Sequence, residues 1–234
     1  MPRGAAARHT PVVGTTTETD SRHYRRDSIE FARAFTFFDA VYAFALTLLA
    51  VNIDPTDADD WADPGTLLGS GLGTQLVGFA ISFIVIAVFW RVNHRLVAGF
   101  RALSPGVMAA NLVAIAFVVL IPFTTEGISD EGSSEAPLAV AVYAVNISAA
   151  IFAQSAMFYV ARHDGVLADP LPRRADHVNF LNTLTTPLVF LASIPIAYAF
   201  GADWGRWTWL LLVVIGPLSG SWASRRVARI RAAA

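Results

Sequence analysis

The sequence predicts an all-α integral membrane protein of six transmembrane helices with both termini in the cytoplasm, and three observations predict it. First, 55% of the 234 residues are hydrophobic and only 15% charged, with a mean hydropathy of +0.51, whereas soluble domains carry about 25% charged residues. Second, the apolar residues come in blocks of about 20, the length that crosses a hydrocarbon core roughly 30 Å thick. Third, the connections between blocks alternate between arginine-rich and acid-rich, as orientation by basic residues requires.

Residues 1–28 are rich in Arg, Thr and Ala without an apolar run of secretory-signal type, so they read as a disordered cytoplasmic arm. The membrane domain is expected over 29–226. Its first helix runs over about 31–53, with Asp27 and Ser28 as plausible N-caps and Pro55 as its stop. The second, about 67–97, follows Pro64 and Gly65 and is long enough to tilt or project. The third, about 106–125, follows Pro105 and carries Pro122 near its end. The fourth, fifth and sixth cover about 137–161, 178–200 and 204–223, and 227–234 form a basic cytoplasmic tail. Pro187, Pro195 and Pro217 lie inside spans, where neighbouring helices or water can satisfy the freed backbone groups.

All the Lys and Arg positions are Arg. Arg22, Arg25 and Arg26, then Arg91, Arg95 and Arg101, then Arg162, Arg173 and Arg174, and finally Arg225, Arg226, Arg229 and Arg231 fall on one side. The other side has Arg206 alone, with Asp54, Asp57, Asp59, Asp60 and Asp63 in one loop and Glu126, Asp130, Glu131 and Glu135 in another. Arginine marks the cytoplasmic side. Trp61, Trp204, Trp207 and Trp209 near the outer boundary, with Trp90, Tyr159 and Trp222 near the inner one, form aromatic belts. There is no cysteine, so disulfide and thiolate chemistry are absent. The basic clusters are expected to meet anionic headgroups rather than nucleic acid.

A charged residue inside a span costs at least about 2.5–3.5 kcal/mol on insertion scales and is a functional-site hypothesis by default. Asp39 lies about two turns into the first helix. Trp90, Asn93 and His94 end the second helix on the same side and are its expected partners, with Arg33 a further one. Asp39 at headgroup depth, solvated, is the competing reading. Trp90 and His94 are four apart and share a face, which Gly78, Ser82 and Ile86 extend as a narrow, partly polar packing stripe. The sequence has no serine-nucleophile motif, no H-E-x-x-H and no glycine-rich phosphate loop, so no enzyme, metal site or cofactor is expected.

A second face of the first helix carries Ala40, Phe44, Thr47, Val51 and Asp54, with Phe44 turned about 140° from Asp39 at about 100° per residue. Around an assembly axis it would line a narrow apolar conduit with a ring of Thr47 hydroxyls and carboxylates at the mouth. From the residues alone such a stripe is first of all ordinary helix packing. Asn111, Asn146, Gln154, Asn182, Thr183, Thr185 and Thr186 likewise read as interhelical hydrogen-bonding residues. No TVGYG-type carbonyl filter is present.

The segment RAFTFFDAVYAFALTLLAVNI, from Arg33, resembles the R-x-x-x-F-S-D signature helix of the transmembrane protein 175 family of potassium channels. SFIVIAVFWRVNHRL, from Ser82, resembles that family's second helix, and NLVAIAFVVLIPF, from Asn111, its third. The motifs cover 33–125, and the remainder matches by helix count. The resemblance implies a bacterial form with one six-helix repeat per subunit, a homotetramer in the cell membrane, and first helices lining a potassium path through apolar constrictions. It implies pore-lining positions at Phe44, Thr47, Leu48 and Val51, with Phe44 at a constriction normally held by Ile or Leu. It further implies a structural network of Arg33, Phe37, Asp39, Trp90, Asn93 and His94. Phe38 replaces the motif serine and Ala40 a frequent glycine.

The function expected is therefore a passive potassium-permeable channel without cofactor, whose partners are further copies of itself, membrane lipids and permeant monovalent cations. The alternative is a proton-coupled transporter titrating Asp39 and His94.

Overall fold

The computed structural model describes residues 23–53, 58–69, 71–130 and 132–232. Asp54, Asp57, Glu131 and most of the N-terminal arm lie outside them. Among the described residues, six helical stretches are long and apolar enough to cross a membrane. Helix α1 is Ile29–Val51, the short α2 is Pro64–Gly69, and α3 is Gly71–Ala98. The third span comprises α4 (Pro105–Val119) and α5 (Ile121–Ser129), followed by α6 (Pro137–His163) and α7 (Arg173–Phe200). The last span contains α8 (Ala202–Trp207) and α9 (Leu211–Ala232), joined by a 3-10 turn over Thr208–Leu210.

Local chemistry sets these boundaries. Ser28 accepts the Phe31 N–H (3.2 Å) to cap α1, and Ser104 accepts that of Val107 (3.1 Å) ahead of Pro105, which opens α4. Gly165, at φ 66, ends α6. There the Val166 N–H reaches back to the Ala161 carbonyl (3.0 Å), a bond that needs a left-handed residue between.

Several spans exceed their expected lengths because polar residues at their ends are satisfied inside the bundle. The third continues past 125 to Ser129: Thr124 and Thr125 donate to the Ile121 carbonyl and Ser129 to that of Thr125 (3.1, 2.7 and 2.8 Å). The fifth begins at Arg173 rather than 178, with Asp176 buried against Arg162. The basic tail expected from 227 is helical to Ala232.

The core lies where α6 meets α4, α5 and α7, and α1 leans on α3, α4 and α5. The Gly78–Ser82–Ile86 stripe is buried as expected. A Cβ on Gly78 would stand 2.8 Å from that of Ser129, and Ser82 bonds both Thr125 (2.7 Å) and the Tyr143 hydroxyl (3.3 Å). Tyr143 stacks on Trp209 with centroids 5.0 Å apart, and Trp209 also meets Phe190 and donates to Ser193 (3.0 Å). Trp209 thus belongs to the bundle interior rather than to the outer belt, whereas Trp61, Trp204 and Trp207 are exposed.

Among the described glycines, the closest approach is at Gly205. A Cβ there would stand 2.7 Å from the Cβ of Ala197 and 3.1 Å from both the Ser193 carbonyl and Val140. Gly205→Ala is expected to destabilise the fold by about 1–3 kcal/mol. Gly216→Ala meets nothing within 4 Å and should leave the thermal midpoint near wild type; tryptophan-fluorescence melts in detergent compare the two.

The Arg-rich end is stitched together in a way hydropathy does not foretell. Strand β1 (Tyr24–Arg25) pairs antiparallel with β2 (Ala102–Leu103), and Phe100 bridges to Leu167. Arg26 donates to the carbonyls of Ala98 and Phe100, and Arg101 donates to that of Gly165. Residues 24–28, expected within a disordered arm, are therefore held by backbone pairing and by the α1 cap.

Ser104 also donates to Asp164, at the end of α6. That hydroxyl, and then His163 beside it, hold the Asp164 carboxyl below the usual carboxylate range. A lowered folded value stabilises the fold above the ordinary carboxylate pKa, and the contribution is lost as pH falls through the folded value. Melting between about pH 5 and pH 3 should accordingly fall more steeply for wild type than for Asp164→Asn.

Candidate functional site

Helix α1 presents two faces of opposite character. Phe31, Phe38, Tyr42, Ala45 and Leu49 are buried, at alternating spacings of three, four and seven that keep one stripe against the bundle. Phe38 is 2% exposed, so its ring packs into the core. The opposite stripe is open: Phe37, Phe44 and Val51 are 53%, 62% and 75% exposed, and Ala40 and Thr47 are exposed between them. Leu48 is half-buried at the edge of that stripe, and Arg33 is exposed at its Arg-rich end.

Three side-chain bonds fix how α1 is rotated. Near the Arg-rich end, Trp90 Nε1 donates to Asp39 Oδ1 (2.9 Å) from α3. At mid-helix, Gln154 of α6 donates to the Tyr42 hydroxyl and to the Phe89 carbonyl, each at 3.1 Å. At the far end Asn52, the C-cap, donates to the Pro122 carbonyl at the start of α5 (3.2 Å). A turn of about 140° separates Asp39 from Phe44, so bonds on the bundle side leave Phe44 and Thr47 facing away. Thr47 donates to the Phe44 carbonyl of its own helix (2.7 Å). Its proton is thereby occupied, while the oxygen keeps acceptor capacity on the open face.

The network expected around Asp39 is smaller than the sequence suggested. Only Trp90 bonds it among the described residues. His94 contributes by packing, its ring 5.6 Å from that of Trp90 and 5.0 Å from Phe35. Asn93 lies about 60° round the helix from Trp90, on the face that buries Ser82, Ile86, Phe89 and Val97, and its carboxamide meets no hydrogen-bond partner among the described residues. Arg33 forms no ion pair among the described residues. Phe37 meets Phe38 edge-on at 6.1 Å.

Of the polar residues assigned to interhelical bonds, Gln154 makes two, and Asn146 donates to the Phe117 carbonyl (3.1 Å) and to Thr124 (3.4 Å). Asn111 has no hydrogen-bond partner among the described residues, and Thr183 bonds within its own helix, to Asn179 (3.0 Å). Tyr42, Asn52 and the Arg162–Asp176 pair make contacts that the sequence pattern does not foretell. An aspartate set among arginines, as Asp176 is, was the available signal for the last.

The model for the family described as endosomal/lysosomal potassium channel TMEM175 matches residues 33–122, from the second turn of α1 to the start of α5. A potassium channel of Streptomyces collinus is 30% identical over 171 residues, covering 68% of this chain and 80% of that protein. A potassium channel of a Chryseobacterium species is 24% identical over 115 residues, covering 49% of this chain and only 56% of that protein. Among solved structures, a lysosomal potassium-selective channel TMEM175 homolog from Chamaesiphon minutus shares the fold. Its TM-score is 0.61 at 21% identity, covering 86% of this chain and 99% of that one.

Proposed function

This chain belongs to the TMEM175 family of potassium channels, a multi-pass protein of the cell membrane, and from that premise we propose that α1 of each subunit lines the ion path. The observation that carries the reading is the open stripe of α1, Phe37–Ala40–Phe44–Thr47–Val51, facing away from three bonds that hold the helix by its other side. A helix anchored so firmly with a face containing a hydroxyl and large apolar residues suits an assembly axis.

Four copies around that axis would place Phe44 at an apolar constriction and Thr47 one turn beyond it as a ring of oxygen acceptors. Cations pass such a constriction when it is wet and stop when it dries, so no carbonyl filter is needed. Phe44 rings turned edgewise would narrow the path, and their faces would attract a cation. The Arg-rich end faces the cytoplasm, in keeping with the bias of basic residues. Asp39, bonded by Trp90, acts as an anchor of α1.

Potassium flux into liposomes containing the purified protein, run beside sodium, tests the reading. Potassium flux that rises linearly with concentration supports a pore, whereas saturable flux driven by a proton gradient would replace it with a carrier. Cross-linking in the same membranes should yield a tetramer, and a dimeric limit would remove the fourfold axis.

A further inference from the structure

Two classes of arginine occupy the Arg-rich end. Arg26, Arg101, Arg162 and Arg231 are engaged with carbonyls or carboxylates of the protein. Arg174, Arg226 and Arg229 form no ion pair among the described residues, and together with His177 they line one groove of about 570 Å³ between the start of α7 and the end of α9. Among the described residues no carboxylate lines it, and Val178 and Ile230 contribute apolar surface. The Arg231–Asp169 pair (3.5 Å) ties the end of α9 to the connection leading into α7.

Above this cationic mouth the two helices, which pack together, continue as apolar surface. Leu181 and Leu188 on α7, and Leu218 and Trp222 on α9, are all exposed and stand at helical spacing from the groove residues. Charge converging at the ends of two spans, with an apolar lane running from it along the membrane, matches an amphiphile with an anionic head. Inorganic phosphate would satisfy the arginines but leave the lane unused. Basic pockets between transmembrane helices are where anionic headgroups bind.

We propose that the α7–α9 groove is a binding site for an anionic diacyl phospholipid, its phosphate held by Arg174, Arg226 and Arg229 and its chains lying along the seam of the two helices. The proposal is independent of the ion path, since none of these residues lies on α1.

The test is retention of palmitoyl-oleoyl phosphatidylglycerol by the full-length protein, measured by native mass spectrometry after titration from delipidated detergent, against phosphatidylcholine. Each arginine near the surface contributes about fivefold, so Arg174→Gln/Arg226→Gln should weaken phosphatidylglycerol binding about 30-fold. Arg173→Gln/Arg225→Gln removes the same charge from the same helices, one residue away, outside the groove, and in detergent, with no charged bilayer surface for these arginines to meet, should lose far less than the groove variant. Arg229→Gln alone, on the exposed last turns of α9, should lose about fivefold and serves if the double variant does not fold. Equal losses in both double variants would mean general surface attraction and overturn the site, as would no loss in either. Displacement by inorganic phosphate at the lipid's own concentration would make it a simple anion site. A change in oligomeric mass without lipid loss would make the groove a contact between subunits.

Discussion

Phe44→Ala should raise potassium flux through reconstituted protein by at least about tenfold, equivalent to lowering the permeation barrier by about 1.4 kcal/mol. Phe44 is 62% exposed on α1, so truncating it removes little that holds the subunit together. In the tetramer proposed above it would exchange four rings at the proposed constriction for four methyl groups, which hold water far more readily. Phe44→Leu should fall between the two. Leu49→Ala, on the buried face of the same helix, should lower thermal stability by about 2–5 kcal/mol without a comparable gain in flux. Stopped-flow flux with a potassium-sensitive dye separates these outcomes. Wild-type flux in Phe44→Ala, from a preparation that conducts, would move the pore to another face. Flux in the variant alone would identify a path that the aromatic rings keep shut.

Trp90→Phe should cost about 1.5–3 kcal/mol, the value of a hydrogen bond to a charged group. Nothing large is removed: a six-membered ring still packs near His94, and the loss is concentrated in the Nε1–H that Asp39 accepts. With that donor gone, the carboxylate of Asp39 on a membrane helix has no protein partner among the described residues. The variant should show a lower melting temperature and a weaker assembly by size-exclusion chromatography. Asp39→Asn should be milder, because the amide oxygen still accepts the indole proton. His94→Gln, which removes a ring contact and no hydrogen bond to Asp39, should be milder again. Equal losses at Trp90 and His94 would mean that ring packing, and not the Asp39 bond, holds α1.

The spans were legible because membrane helices advertise themselves in blocks, and their ends were misjudged where polar residues turn inward. Thr124, Thr125 and Ser129 look like the edge of a span, yet they bond backwards along α5 and across to Ser82. The pairing of Asp39 with Trp90 was legible because a carboxylate inside a span demands a donor at its own depth. Asn93 misled because a turn of about 60° round the helix from Trp90 is enough to carry a side chain from the exposed edge into the core. Tyr42 and Asn52 were invisible for another reason. Their partners, Gln154 and the carbonyl of Pro122, sit on helices whose rotation no single-span pattern specifies. The two-residue strands β1 and β2 are too short to leave any periodic trace.

The pairing of β1 with β2 has a mechanical consequence for the helix that follows it. Only three residues separate Arg25, at the end of the strand, from Ile29, where α1 begins, and Ser28 caps that helix directly. A tug on the chain ahead of Tyr24 is taken up first by β1, which is braced against the α3–α4 connection and, through Arg101, against the α6–α7 turn. The arrangement works as a cable clamp: load entering from the N-terminal side is grounded in the body of the subunit before it reaches α1. A bulky domain fused upstream of the clamp would sway without dragging that helix along its axis.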